Sequence, residues 1–492
     1  MELAVRDGRL VGVRGVAGDR VNRGRLDPKD LYGWQALASP DRLTRPLVKE
    51  DGVLRESDWD TAMARITDRA RALLDGPGPD SIGFYTSGQL FLEEYYALAV
   101  LARGGLGTKH LDGSTRLCTA TAAEALKESF GCDGQPGSYA DIDHADTVAL
   151  FGHNVAETQA VLWSRILDRI AGADPPVLLC VDPRPGPVSE ASTIHLQPRP
   201  GTNLALMNGL LHEVIAGGWT DPRYIYAHVV GFDDLARHVA RLPAEAAAEA
   251  TGVPAEQIRV AARLLGQADR LLSTVLQGFC QSHQATAAAV QVNNLHLIRG
   301  MLGRSGCGVL QMNGQPTAQN SRECGADGDL PGFRNWANPR HVAKLWNVPP
   351  DRIPHDGPPT HALQMIRLAE EGSLRMLWVS GTNPAVSLPE LDRIRAVLGQ
   401  DRLFLVVQDL FPTETTAFAD VVLPAAGWGE KTGTFTNADR TVHLSLTAVD
   451  PPGEARPDLD IFLDFARRVD LRDASNAPLI PWRNPETVFE AC

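Results

Sequence analysis

The sequence predicts an α/β protein with two doubly wound, mostly parallel sheets, preceded by a small β hairpin. Three observations predict it. Short apolar runs alternate with amphipathic helical stretches along most of the 492 residues. The runs are four to six residues long, as buried strands are. Four of them end in loops of one polar kind, with the two pairs lying in different halves of the chain. The length suits about three domains of roughly 150 residues each. With 43% hydrophobic and 22% charged residues, the composition is that of an ordinary globular protein.

The chain opens on the hairpin. Asp7-Gly8 is a favoured two-residue turn that sets Val5 opposite Leu10. By alternation Leu3 shares that face, and Val11 and Val13 point to the other. A polar stretch runs from Asn22 to Lys29, and Pro40 to Pro46 has the composition of a linker. A helix starts near Ser57-Asp58, either of which can cap it. The expected strands are Ser81 to Tyr85, Thr147 to Phe151, Val177 to Val181, Leu271 to Leu276, Met376 to Val379 and Leu403 to Val407. Between them, helical patterns cover Thr119 to Phe130, Leu162 to Ile170, Leu204 to Ile215 and Pro254 to Leu265. Buried strands alternating with helices imply parallel sheets covered on both faces. Asn484-Pro485-Glu486 then supplies a cap, a first-turn proline and a first-turn acid for a last helix.

Charge and cysteine usage exclude several classes. A net charge of -13 argues against a nucleic-acid partner, which needs clustered Lys and Arg. It leaves room for a small anion, because a pocket can be positive on an acidic protein. No apolar run approaches the ~18 residues that span a membrane. The seven cysteines form no CxxC pair, so neither a disulfide framework nor a closed zinc site is indicated. A cytoplasmic location is the expectation.

Ligands of doubly wound sheets gather where strand ends meet helix starts. Phe151 runs into Gly152-His153-Asn154-Val155-Ala156-Glu157, and Val181 into Asp182-Pro183-Arg184. Val379 runs into Ser380-Gly381-Thr382-Asn383, and Val407 into Gln408-Asp409. Small residues let the backbone approach phosphate closely, and an acid further along can hold a ribose or a base edge. Two such pairs point to two nucleotide-like ligands.

Further segments make the pattern specific: Ser114-Thr115-Arg116-Leu117-Cys118, Asn313-Gly314-Gln315-Pro316 with Arg322-Glu323, Ala419 to Ala425, and Glu430-Lys431-Thr432-Gly433-Thr434-Phe435. With Gly152 to Glu157 they resemble the molybdopterin-guanine-dinucleotide oxidoreductases, and among these the assimilatory and periplasmic nitrate reductases. The resemblance covers nearly the whole chain. It implies a molybdenum ion held by two such dinucleotides, with Cys118 as protein ligand, and reduction of nitrate to nitrite by oxygen-atom transfer. Cys118 stands just before a helical run, whose N-terminus is expected to favour the thiolate. Formate dehydrogenases of the family place a His directly after this ligand; here the residue is Thr119, which argues for oxygen-atom transfer.

By the same resemblance Lys29, Gln89 and Ser114 contact the pterins, although periplasmic relatives usually carry Asn where Ser114 stands. Gln281 lines the pocket near the metal, and Arg322 is the candidate for steering nitrate through a guanidinium suited to a planar oxyanion, the alternative being an arginine held by Glu323 or by a pterin phosphate. His283 invites a proton-donor role, but an ordinary hydrogen-bonded histidine is the simpler expectation. One dinucleotide falls to Gly152, Asn154, Glu157, Asp182, Arg184, Gly201, Thr202 and Asn203. The other falls to Asn383, Gln408, Asp409, Lys431 and Asp458; taken alone, Lys431 and Asp458 would pass for a surface charge and a cap. The expected division is residues 1–45 as a remnant of an iron-sulfur domain, 46–136 with about 316–470 for one dinucleotide, 137–315 for the other, and 471–492 as the start of a further segment. A redox partner protein or reductase subunit is expected as electron donor.

The chain departs from the resemblance at its ends. Relatives carry three clustered cysteines and a fourth before the Pro-Lys pair, holding a [4Fe-4S] cluster. Here the three are absent and Asp27 occupies the fourth position, as an unusual oxygen ligand or as the mark of a lost cluster. Relatives also continue into a domain that closes over both dinucleotides, so truncation at both ends is the expectation. Two alternatives stay open: a formate dehydrogenase-like or other oxyanion enzyme, and a degenerate scaffold without molybdenum.

Overall fold

The computed structural model describes residues 1–328, 330–332, 338–354 and 360–492. Two sheets organise it. One has five parallel strands in the spatial order Gly308–Gln311, Leu271–Val275, Thr147–Phe151, Val177–Val181, Ile194–Leu196. The other has seven, in the order Val53–Glu56, Leu47–Glu50, Val421–Pro424, Phe404–Asp409, Met376–Ser380, Ile82–Thr86, Leu111–Gly113. The first two of these run antiparallel to their neighbours and the rest are parallel.

Alternation along the strands fills both faces of each sheet. Phe84, Met376, Trp378 and Val406 enter one apolar core, while Tyr85, Leu377, Val379, Leu405 and Val407 enter another. In the five-stranded sheet Ala149, Phe151, Leu179 and Val181 face one core, and Val148, Leu150, Leu178 and Cys180 the opposite one. Such two-faced burial is what makes these strands continuous apolar runs. The largest buried side chain, Trp378, packs against Phe84, Phe462 and Phe465.

The helix after Asp58 spans Trp59–Asp75, and the Asp58 carboxylate accepts the Thr61 N–H at 2.7 Å. Asp58→Ala is expected to lower stability through loss of the cap, read as a lower urea midpoint. The last helix is Pro485–Phe489, with Asn484 as its cap.

Two expectations need correction. A bulge between Ala4 and Val5 shifts the hairpin register, so Val5 pairs with Leu10 as expected but Leu3 pairs with Val13, expected on the other face. The supposed linker Pro40 to Pro46 is anchored: Arg42 is 6% exposed, and its guanidinium holds both carboxylate oxygens of Glu430 at 2.8 and 2.9 Å. Asp27 caps the short helix Pro28–Tyr32, accepting the Asp30 N–H at 2.9 Å, which gives its carboxylate a local structural task. No described helix is long and apolar enough to cross a membrane.

Candidate active site where the two sheets meet

Parallel strands all end on one side, and here the ends of both sheets converge. The strand Leu111–Gly113 of the larger sheet passes through Ser114 and Thr115 into the helix Arg116–Phe130. That helix packs along Ala285–Arg299, which follows a strand of the smaller sheet; Asn293 donates to the Ala125 carbonyl and to Ser129 Oγ, both at 3.0 Å. Cys118 is the third residue of the helix, inside it and not before it as expected.

The Cys118 sulfur is half-buried and faces the smaller sheet. Gln277 Nε2 donates to it at 3.0 Å, and the Gly314 backbone N–H donates to it as well. Burial nevertheless pushes the thiol above its ordinary value, against those two donors and the charge of Arg322. In the metal-free thiol, loss of hydration thus outweighs the two donors and the nearby guanidinium. Gln281 donates to the Leu117 carbonyl at 3.0 Å, which ties the first turn of that helix to the segment after the strand Leu271–Val275. Ser114 Oγ lies 3.4 Å from Gln315 Oε1, while Gln89 and His283 are exposed.

Arg322 is 8% exposed. Its Nε donates to Asp133 at 2.6 Å and its Nη1 to Thr119 Oγ1 at 3.3 Å, so its carboxylate partner is Asp133. Its Nη2 has no partner among the described residues, nor do Asn313 Oδ1 and both amide atoms of Gln319. Buried polar atoms are normally satisfied, so these orphans mark a place for a polar ligand.

The first set of strand-end loops forms a pocket lined by Asn154, Glu157, Asp182, Arg184, Gly186 and Ser189 among others. Asn154 donates to Glu157 at 2.8 Å, and Asp182 accepts the Arg184 N–H at 2.8 Å. Gly152 has φ +59°, and a Cβ there would meet the Phe279 nitrogen at 2.6 Å; only glycine fits so close to the neighbouring loop. Asn203 reaches that same loop, donating to the Gly278 carbonyl at 2.8 Å, with Gly201 (φ +86°) and Thr202 leading into its helix. His153 is fully buried between Thr274 and Gln159, and burial lowers its pKa to about 4.

In the second set, Asn383 donates to Glu414 at 2.7 Å and accepts from Thr415 Oγ1 at 2.6 Å. Gln408 is buried and donates to Asp458 Oδ1 at 2.6 Å. Lys431 and Asp458, which taken alone would pass for a surface charge and a cap, are a buried ion pair that Glu94 joins at 2.7 Å. The loop around Lys431 is latched further by Glu93, which accepts the Thr434 N–H at 2.9 Å. Sequence reasoning missed Gln277, Asp133 and Glu94. Gln277 stands at the carboxyl end of the strand Leu271–Val275, where strand-end logic applied but only Gln281 was singled out. Lys29 lies exposed on its short helix.

Burial raises the pKa of Asp409 to about 6. A carboxylate raised in the folded state stabilises below its unfolded value, and that contribution is lost as pH rises through about 6. Asp409→Asn is therefore expected to gain stability over the parent as pH rises from 4 to 7, in the cofactor-free protein. The difference between their urea midpoints against pH checks it.

The family model for molybdopterin oxidoreductases matches residues 42–468. The chain belongs to that family. It is 37% identical over 483 residues to a nitrate reductase of Symbiobacterium thermophilum, covering 95% of this chain and 64% of that protein. It is 33% identical over 479 residues to an F420-dependent formate dehydrogenase subunit alpha of Methanocaldococcus jannaschii, covering 96% of this chain and 69% of the relative. The fold is that of acetylene hydratase from Pelobacter acetylenicus, at a TM-score of 0.73 and 20% identity, over 94% of this chain and 65% of that one. The molybdopterin oxidoreductase thus spans just under two thirds of the length of the nitrate reductase it matches. Family membership implies a molybdenum–molybdopterin cofactor. The residues fit one: a sulfur donor faces a cleft with orphaned buried polar atoms, and the Gly152 backbone admits no side chain beside a polar pocket.

Proposed function

We propose that this chain carries the catalytic centre of a molybdenum nitrate reductase, converting nitrate, two electrons and two protons to nitrite and water. The observation that supports it most is the Cys118 sulfur, set in the cleft between two sheets with the unpartnered Arg322 Nη2 as a buried cation close by. A molybdenum ion held by two pterin guanine dinucleotides would supply the two-electron, oxygen-atom-transfer chemistry.

The chain's own residues bind and orient. Cys118 supplies the thiolate ligand. Arg322, fixed by Asp133, draws in the anion through its free Nη2, and Gln281 braces the ligand loop. Lys29, Gln89 and Ser114 contact the pterins. The loops bearing Gly152, Asn154, Glu157, Asp182, Arg184, Gly201, Thr202 and Asn203 hold one dinucleotide. Asn383, Gln408, Asp409 and Asp458 hold the other, and Lys431 acts by keeping Asp458 and Gln408 in place. In this division residues 137–315 serve one dinucleotide and 46–136 with about 316–470 the other. The electrons come from a redox partner protein.

The formate dehydrogenase relative supports a second reading, formate oxidation; Thr119 in place of a His next to the ligand speaks against it. The purified protein should contain molybdenum by elemental analysis and reduce nitrate with reduced methyl viologen. Formate oxidation without nitrate reduction would replace this reading with the second. Absence of molybdenum after expression with cofactor synthesis intact would leave a scaffold.

A further inference from the structure

Gln277 stands where it can act on the metal without touching it. Its Nε2 lies 3.0 Å from Cys118 Sγ, and its Oε1 is buried with no partner among the described residues. The two residues belong to different sheets: Cys118 follows the strand Leu111–Gly113, and Gln277 follows Leu271–Val275. A Cβ at Gly314 would lie 3.5 Å from Gln277 Nε2 and 3.9 Å from the sulfur, ordinary contact distances that place this backbone beside both. The sulfur thus meets two N–H donors, one fixed in the main chain and one on a side chain. A sulfur bound to a metal carries no proton and can only accept, which requires the amide to present its NH2 end, as it does here.

We propose that Gln277 is a tuning residue of the molybdenum centre: its hydrogen bond to the Cys118 sulfur withdraws electron density from the ligand and favours the reduced metal. The proposal rests on Cys118 being the metal's ligand. Hydrogen bonds to ligating sulfur are a recognised lever on the potential of sulfur-bound metals, and outer partners orient and tune the ligands they touch. Gln277 makes no contact with substrate in this role; it acts through the sulfur.

The test is a redox titration of the cofactor-loaded protein, following the Mo(V) paramagnetic signal. Gln277→Met keeps the length and removes the donor. Its midpoint potential is expected to fall, with the oxidised-to-reduced ratio at fixed potential rising about tenfold, which is about 30 mV for a two-electron couple. Gln277→Lys restores a donor and adds a positive charge, so its midpoint should lie at or above the parent's. Equal molybdenum content and unchanged circular dichroism establish loading and folding. Midpoints and Mo(V) g-values identical to the parent in both variants overturn the proposal. Should one variant fail to load, the other decides by its sign: a lower midpoint for Gln277→Lys, or an unchanged or higher one for Gln277→Met, refutes it. A Mo(V) signal unaltered by Cys118→Ser would instead remove the ligand assignment itself, so the two failures are distinguishable.

Discussion

Cys118→Ser, in the cofactor-loaded protein, is expected to lower viologen-driven nitrate reduction by about a hundredfold or more. Losing an outer partner of a metal ligand already costs about 10–100-fold, and here the ligand itself is lost. Serine keeps the size and the helix position but replaces a soft donor by a hard one that stays protonated at neutral pH. The rate is to be expressed per molybdenum, so that weaker loading is not mistaken for slower chemistry. A variant as fast as the parent removes Cys118 from the centre.

Lys431→Met is expected to have the largest effect on stability. The ammonium is 4% exposed and sits between Glu94 and Asp458, both buried. Removing one partner of a buried ion pair strands its counter-charges and typically costs about 3–5 kcal/mol. The loss should depend on pH. Burial already raises the pKa of Glu94 to about 7 with the lysine beside it, and without the cation it rises further. A group raised in the folded state stabilises at low pH and loses that contribution as pH rises through its folded value. The variant should therefore lie nearer the parent at pH 5 than at pH 8, by urea midpoints of the cofactor-free proteins. A pH-independent deficit would show that the other lost contacts, including the ammonium over the Phe91 ring, dominate.

The sheets were legible where strands are buried on both faces. Thr147–Phe151 and Val177–Val181 have their expected bounds, because each is an unbroken apolar run. Gly308–Gln311 and Leu111–Gly113 escaped, since glycine, glutamine and aspartate interrupt so short a pattern. The helix Ala285–Arg299 also escaped. It buries Gln291, Asn293 and His296 through specific hydrogen bonds, which blurs the apolar stripe that periodicity detects. Cys118 and the strand-end loops could be named from local motifs. Their partners could not: Gln277 lies 159 residues from Cys118 and Asp133 lies 189 from Arg322. Only the crossing of the chain between sheets makes such pairs neighbours.

That crossing also sets the order of events on the ribosome. Ile82–Thr86 is an interior strand of the larger sheet, yet one of its two flanking strands is Met376–Ser380, and the whole smaller sheet is translated in between. At about 5–20 residues per second, its apolar edge waits roughly ten to fifty seconds with only the three-residue strand Leu111–Gly113 beside it. An open edge of that kind invites pairing with other chains until Met376–Ser380 emerges to cover it.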